Sequence, residues 1–137
     1  MTNLERARAQ FSEDRFARQV AGVEILEVGD HYAKCRMALD GRHQNANGHV
    51  MGGAIFTLAD FTFAVATNFD VIAPTVTSTA QICYMNSPKG RELFGESRLL
   101  RDGRHNCFYE VYLWDELDTP VAMVTMCGVH LPAAQEK

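Results

Sequence analysis

Residues 45–69 read NANGHVMGGAIFTLADFTFAVATNF, and they decide how the rest of the chain must be arranged. The first part is rich in Asn, Gly and His, a loop composition. From Gly53 to about Asn68 there is no proline and a single charge, Asp60. The run predicts one long helix, apolar on nearly every side, which must be buried on most of them. An ionised carboxylate in such an element is costly unless it is paired or hydrogen-bonded. Three readings of Asp60 follow. It is a buried structural acid held by backbone donors or an Arg, a residue on the one face that reaches solvent, or a carboxylate kept where a ligand or reaction needs it.

The Gly52-Gly53 pair at the helix start favours the last reading. Glycine inside a helix costs roughly 1 kcal/mol against Ala, but at a helix start it permits close backbone approach. The first N–H groups of a helix have no intrahelical partner and carry the positive end of its dipole. An acyl carbonyl resting on them would have its developing oxyanion stabilised. A simple turn explains a Gly-Gly pair equally well.

Downstream of the helix, four runs read as strands: Thr75 to Met85, Glu92 to Leu100, Asn106 to Trp114, and Val121 to Leu131. The links NSPKG, RDGR and DELDTP have the composition of hairpin turns, so a meander is expected. Upstream, Val23, Ile25 and Val28 mark a strand, and Tyr32 to Leu39 alternates strictly after a Gly-Asp turn, which predicts a β-hairpin. Residues 3–20 read as an outer helix. Leu4, Ala7, Phe11, Phe16 and Val20 lie roughly on one face, with Thr2 or Asn3 as cap and Glu5 in the first turn. The tail PAAQEK reads as frayed. Few helices and runs of strands argue an α+β fold with a six-stranded antiparallel sheet around the apolar helix.

At 137 residues, with 47% apolar and 22% charged side chains, the chain is expected to form one domain over 1–137. A net charge of -4 argues against a broad nucleic-acid footprint, which needs a basic face, and leaves room for a small local cluster of Arg and Lys. Cys35, Cys83, Cys107 and Cys127 show no C-x-x-C pair and read as free buried thiols of a reducing compartment. The charged N-terminus has no apolar core of a signal peptide, and no segment reaches the ~20 apolar residues of a membrane span. A cytoplasmic protein without membrane contact is expected. His31, His43, His105 and His130 form no metal-ligand spacing, so no metal is assigned.

Asn45, the triplet Met51-Gly52-Gly53 and Asp60 together resemble the active-site signature of hotdog-fold acyl-CoA thioesterases of the phenylacetic-acid-degradation type. In that family an Asn is followed by His-Gly-Gly and by an Asp on the central helix. The flanking IFTLAD and AVATN, and the later stretch from Tyr84 to Gly90, are similar too. The resemblance covers about residues 20–131. It implies a helix wrapped by a curved antiparallel sheet, and Asp60 as nucleophile or as general base for water. It implies that the Gly52 or Gly53 N–H polarises the thioester carbonyl and that Asn45 orients the water or the thioester. Thr77 aligns with a hydroxyl position that helps to hold the catalytic water. In such enzymes the Asp and the Asn–Gly loop come from different subunits, which implies a homodimer as the minimal active unit and commonly a homotetramer.

The departure is Met51, where the family usually has His. Methionine cannot donate a hydrogen bond, which leaves room for a protein that binds acyl-CoA without hydrolysing it well. No cofactor is expected beyond the coenzyme A of the substrate. Its phosphates need a few cations, best Arg forks, and two turns offer them: Lys89 with Arg91, and Arg101 with Arg104. Phe56, Phe61, Phe63 and Phe69 suggest a bulky acyl lining for a small aromatic or medium-chain group, although core packing explains them equally. The favoured reading is a thioester hydrolase acting on such an acyl-CoA. The alternative is a non-hydrolytic acyl-CoA-binding module on the same fold. A dehydratase or hydratase would need a His on the central helix, which is absent. Carrier-protein thioesters remain possible substrates.

Overall fold

The computed structural model describes residues 1–133. The long helix forms where its composition demands, as α2, Gly52–Asn68. It follows α1 (Asn3–Gln10), a short π-helical segment (Arg15–Val20) and the hairpin β1 (Val23–Gly29) and β2 (Tyr32–Ala38). Four strands come after it: β3 (Thr75–Tyr84), β4 (Glu92–Asp102), β5 (Asn106–Asp115) and β6 (Pro120–His130). All neighbours pair antiparallel in one sheet of order β1-β2-β4-β5-β6-β3.

The second half is therefore not a simple meander. RDGR and the 116–119 link close hairpins, but β3 pairs only with β6 at the far edge. NSPKG is the crossover that carries the chain from that edge back to the middle of the sheet. Local composition marks where a strand stops; it does not say which neighbour the next strand will meet.

Ile55, Leu58, Phe61, Phe63 and Val65 of α2 are all buried. They meet Met37, Leu93, Val111, Leu113 and Met126 in a single core. Two glycines let the helix come this close. A Cβ on Gly95 would lie 3.1 Å from Thr62 Oγ1, and one on Gly128 would lie 2.9 Å from Phe63 Cζ. Phe61 and Phe63 are thus core residues, with Phe63 edge-on to Tyr109 at 5.3 Å.

The expected outer helix is broken in two. Thr2 caps α1 with a full capping box to Glu5, but the chain turns at 11–13, and Asp14 caps the π-helical segment through the Ala17 N–H. Ala7 is buried, whereas Phe16 and Val20 are 62% and 57% exposed.

The two sheet edges differ. Along β1, Arg8 donates to the Ile25 carbonyl at 2.9 and 3.1 Å, and Arg18 donates to the Val23 carbonyl. Along β3, eight of the ten residues are exposed and the outer backbone is open. A bulge at Ser78 bends that edge between Thr77 and Thr79.

Candidate active site

The loop before α2 is braced on buried His43. Its Nδ1 accepts the Asp40 N–H at 3.1 Å, so Nε2 carries the proton and donates to the Ala21 carbonyl at 2.8 Å. The His43 carbonyl accepts the Met51 N–H at 2.7 Å. Asn45 folds its side chain back on its own loop, where Oδ1 accepts the N–H groups of Asn47 and His49 at 2.9 and 3.2 Å. Only its amide NH₂ is left to reach outward, so Asn45 can act on a ligand as a donor.

Met51 is the N-cap of α2, and no side chain caps this helix. The Met51 carbonyl takes the N–H groups of Ala54 and Ile55. Among the described residues the N–H groups of Gly52 and Gly53 have no acceptor. The two glycines have different surroundings. Tyr84 donates its hydroxyl to the Gly52 carbonyl at 2.8 Å, and a Cβ on Gly52 would lie 3.0 Å from that hydroxyl. Gly53 is open, with only the Met51 methyl 3.8 Å away. A pocket of about 370 Å³, between Asn45, Gly52 and Tyr84, lies on one side of the helix start. Another of about 290 Å³, between Phe16, Met51 and Gly53, lies on the other.

Asp60 lies two turns further along. It is exposed in the protomer, so the reading of a sealed acid does not hold. Its carboxyl nevertheless sits above the usual carboxylate range. The protein mass around it raises the pKa, the Asp14 charge raises it further, and the nearby Thr77 hydroxyl pulls the other way. The structure thus brings Thr77 to Asp60, on the bulged open edge. It does not bring Asn45 or the Gly52-Gly53 donors there. Asp60 is seven positions along the helix from Gly53, about 10 Å along the axis. A thioester carbonyl within ~3 Å of both a donor and a carboxylate spans less than that.

The basic turns are also separated. Lys89 and Arg91 precede β4, and Arg101 and Arg104 lie at its other end, roughly 33 Å away for eleven residues. Arg91 lines a pocket of about 390 Å³ with His49 and Gly48 near the start of α2. None of the four has an ion-pair partner among the described residues. The turn carrying Lys89 is fixed by a clamp that the sequence did not reveal. Asp115 accepts the N–H groups of Lys89 and Gly90 at 2.8 and 3.0 Å, and Glu116 accepts that of Arg91 at 2.8 and 2.9 Å. The Tyr84 brace, Asp14 and the exposed pair Phe16 and Val20 were likewise not predicted. Their only sequence signals, a strand-end aromatic, a helix-cap acid and apolar residues four apart, are common in purely structural roles.

A six-stranded antiparallel sheet curled around one long apolar helix, entered through a Gly-Gly start, defines a hotdog fold. The chain belongs to the thioesterase superfamily, whose profile matches residues 47–122, more than half of its length. It is 32% identical over 93 residues to a putative esterase of Archaeoglobus fulgidus, a match that spans 66% of this chain and 59% of that protein. The fold is that of the E. coli PaaI protein from the phenylacetic acid degradation operon. The two are 20% identical over 96% of this chain and 95% of that one, with a TM-score of 0.87. A hypothetical thioesterase from Streptococcus pneumoniae, solved with coenzyme A, is 20% identical over 91% of this chain and 99% of that one, with a TM-score of 0.80.

Proposed function

We propose that the protein is an acyl-CoA thioesterase acting on a small aromatic or medium-chain acyl group. The observation that carries this reading is the pairing of two acceptor-free N–H groups at an uncapped helix start with Asp60, a carboxylate of raised pKa beside the Thr77 hydroxyl. Coenzyme A bound to the Streptococcus pneumoniae relative supports the choice of carrier.

In this reading Asp60 attacks the thioester carbonyl carbon, or takes a proton from a water that does so. The Gly52 and Gly53 N–H groups receive the negative charge on the carbonyl oxygen. Collapse of the tetrahedral species breaks the C–S bond and releases the CoA thiolate, which takes up a proton. When Asp60 is the nucleophile, water then hydrolyses the resulting anhydride. Thr77 orients the carboxylate or the water, and the Asn45 amide donates to the thioester. Lys89 and Arg91 hold the CoA phosphates near the start of α2, and Arg101 and Arg104 offer a second basic end.

The ~10 Å between Gly53 and Asp60 supports a homodimer in which one protomer gives the donors and the other the carboxylate. The open β3 edge, which carries Thr77, is the natural seam. Thiol release from a panel of acyl-CoAs tests this. Turnover should fall ~100-fold or more in Asp60→Asn. Equal turnover by that variant overturns the assignment of Asp60. Binding without any turnover in the wild type replaces the hydrolase with an acyl-CoA-binding module.

A further inference from the structure

Three large apolar side chains, Phe16, Val20 and Met51, are each more than half exposed, at 62%, 57% and 56%. They converge on the 290 Å³ pocket beside Gly53. Exposed apolar side chains grouped around one concavity mark a binding surface more often than scattered ones do. The pocket wall is also built irregularly. Phe16 and Val20 are carried by a π-helical turn closed by the Ala21 N–H on the Phe16 carbonyl at 2.8 Å, a geometry frequent at functional sites.

The polar side chains of the lining are largely engaged elsewhere. Arg42 pairs with Asp40 at 3.2 Å and donates to the Val20 carbonyl at 3.0 Å. His43 is held by Asp40 and Ala21, and the Thr57 hydroxyl donates to the Gly53 carbonyl at 2.8 Å. What remains facing the space is a phenyl ring, aliphatic groups and a thioether, which adapts to irregular apolar ligands. Gly53, whose N–H has no acceptor among the described residues, also lines the pocket.

We propose that this pocket receives the acyl group, with Phe16 and Val20 as its movable outer wall and Met51 as its inner one. The inference rests on the acyl-CoA reading above and deepens it. About 290 Å³ is roughly twice a cavity that holds benzene, so the pocket takes an uncharged acyl group the size of a substituted aromatic ring or a chain of about eight to ten carbons. The lining is mostly apolar, and Arg42 at its rim is its one charged side chain. The N-terminal segment thereby becomes the specificity element, and Phe61 and Phe63 of α2 play no part in substrate choice.

Binding of the non-hydrolysable thioethers S-decyl-CoA and S-methyl-CoA tests this by calorimetry on the full chain, for wild type, Val20→Trp, Phe16→Ala and Met51→Ala. Both wall positions are exposed, so the first two variants keep the core intact. Val20→Trp fills the space and should weaken S-decyl-CoA about tenfold or more, the loss expected from about two unburied methylenes. Phe16→Ala should weaken it several-fold, with S-methyl-CoA unchanged in both. Equal binding of S-decyl-CoA by Val20→Trp and wild type overturns the pocket assignment while sparing the function. Failure of the wild type to bind either thioether removes the acyl-CoA reading and this inference together. A change of oligomeric state in the variants, with decyl binding intact, assigns the patch to a second copy instead and also overturns the proposal.

Discussion

Asp60 and Asp115 are the same residue type in opposite environments. Asp115 is fully buried, and four backbone N–H groups, from Lys89, Gly90, Leu117 and Thr119, converge on its two oxygens. Burial alone would raise its pKa, but the donors outweigh it and hold the group at about 2. Asp60 has no such backbone cradle. Surrounding protein and Asp14 raise its pKa, and only Thr77 opposes them. The folded chain favours the charged form of Asp115 and resists the charged form of Asp60. The first acid holds a crossover in place. The second has no such cradle, which fits the catalytic role proposed for it.

Exchange of each carboxylate for its amide separates the two roles. In Asp60→Asn, kcat/KM should fall by ~100-fold or more while Tm stays level or rises, because the variant removes a charge that the fold resists. Thiol release and a melting curve on one sample decide it; a large drop in Tm would make Asp60 structural. Asp115→Asn should do the reverse. An amide turns an NH₂ group toward backbone donors and leaves buried N–H groups unsatisfied, costing on the order of 3 kcal/mol. The folded fraction should keep its kcat. The linkage has the matching sign. Asp115 adds stability above roughly pH 4, where the unfolded carboxyl is ionised, and that stability is lost as pH falls toward about 2. Denaturant midpoints should therefore fall across this window in the wild type and far less in the variant.

The sequence singled out Asp60 as a candidate and left Asp115 hidden, for a physical reason. A lone charge in an apolar helix contradicts its surroundings, so Asp60 stood out without any structure. Asp115 lies in DELDTP, where an acid is ordinary, and two of its four donors come from residues about 25 positions away. The α2 helix, the β1–β2 hairpin and the strand limits were legible because each depends on local pattern. The place of β3 at the far edge was not, because it depends on long-range pairing. Phe16 and Val20, four residues apart, read as part of one apolar face of a single outer helix; the break at 11–13 leaves both exposed instead.

The same contrast runs through the helix starts, with a smaller effect. The capping box of α1 satisfies its first donors, whereas Met51 leaves those of α2 open. Met51→Asp supplies an acceptor that competes for the N–H groups at the second and third helical positions. Stability should rise by about 1 kcal/mol, and turnover should fall about tenfold as the donors meant for the carbonyl become occupied. Denaturation and thiol release in parallel check both halves. A stabilised variant with undiminished turnover would remove the helix start from the oxyanion assignment.

The smallest expected effect isolates one contribution to the Asp60 pKa. Because that pKa is raised, the acid limb of kcat/KM should lie above the ordinary carboxylate range, with activity lost as pH falls and Asp60 takes up its proton. Asp14 repels the ionised form, so Asp14→Asn should shift the limb to lower pH by a few tenths of a unit. Asn keeps the side-chain oxygen that caps the π-helical segment through the Ala17 N–H, so the fold of the acyl pocket wall is preserved. The shift should shrink in high salt, which screens a solvent-reached pair. Burial contributes to the raised pKa independently of Asp14, so part of the elevation must survive in the variant. A limb that does not move at low ionic strength would leave burial alone as the cause, and the N-terminal segment would then act on substrate fit without tuning the carboxylate.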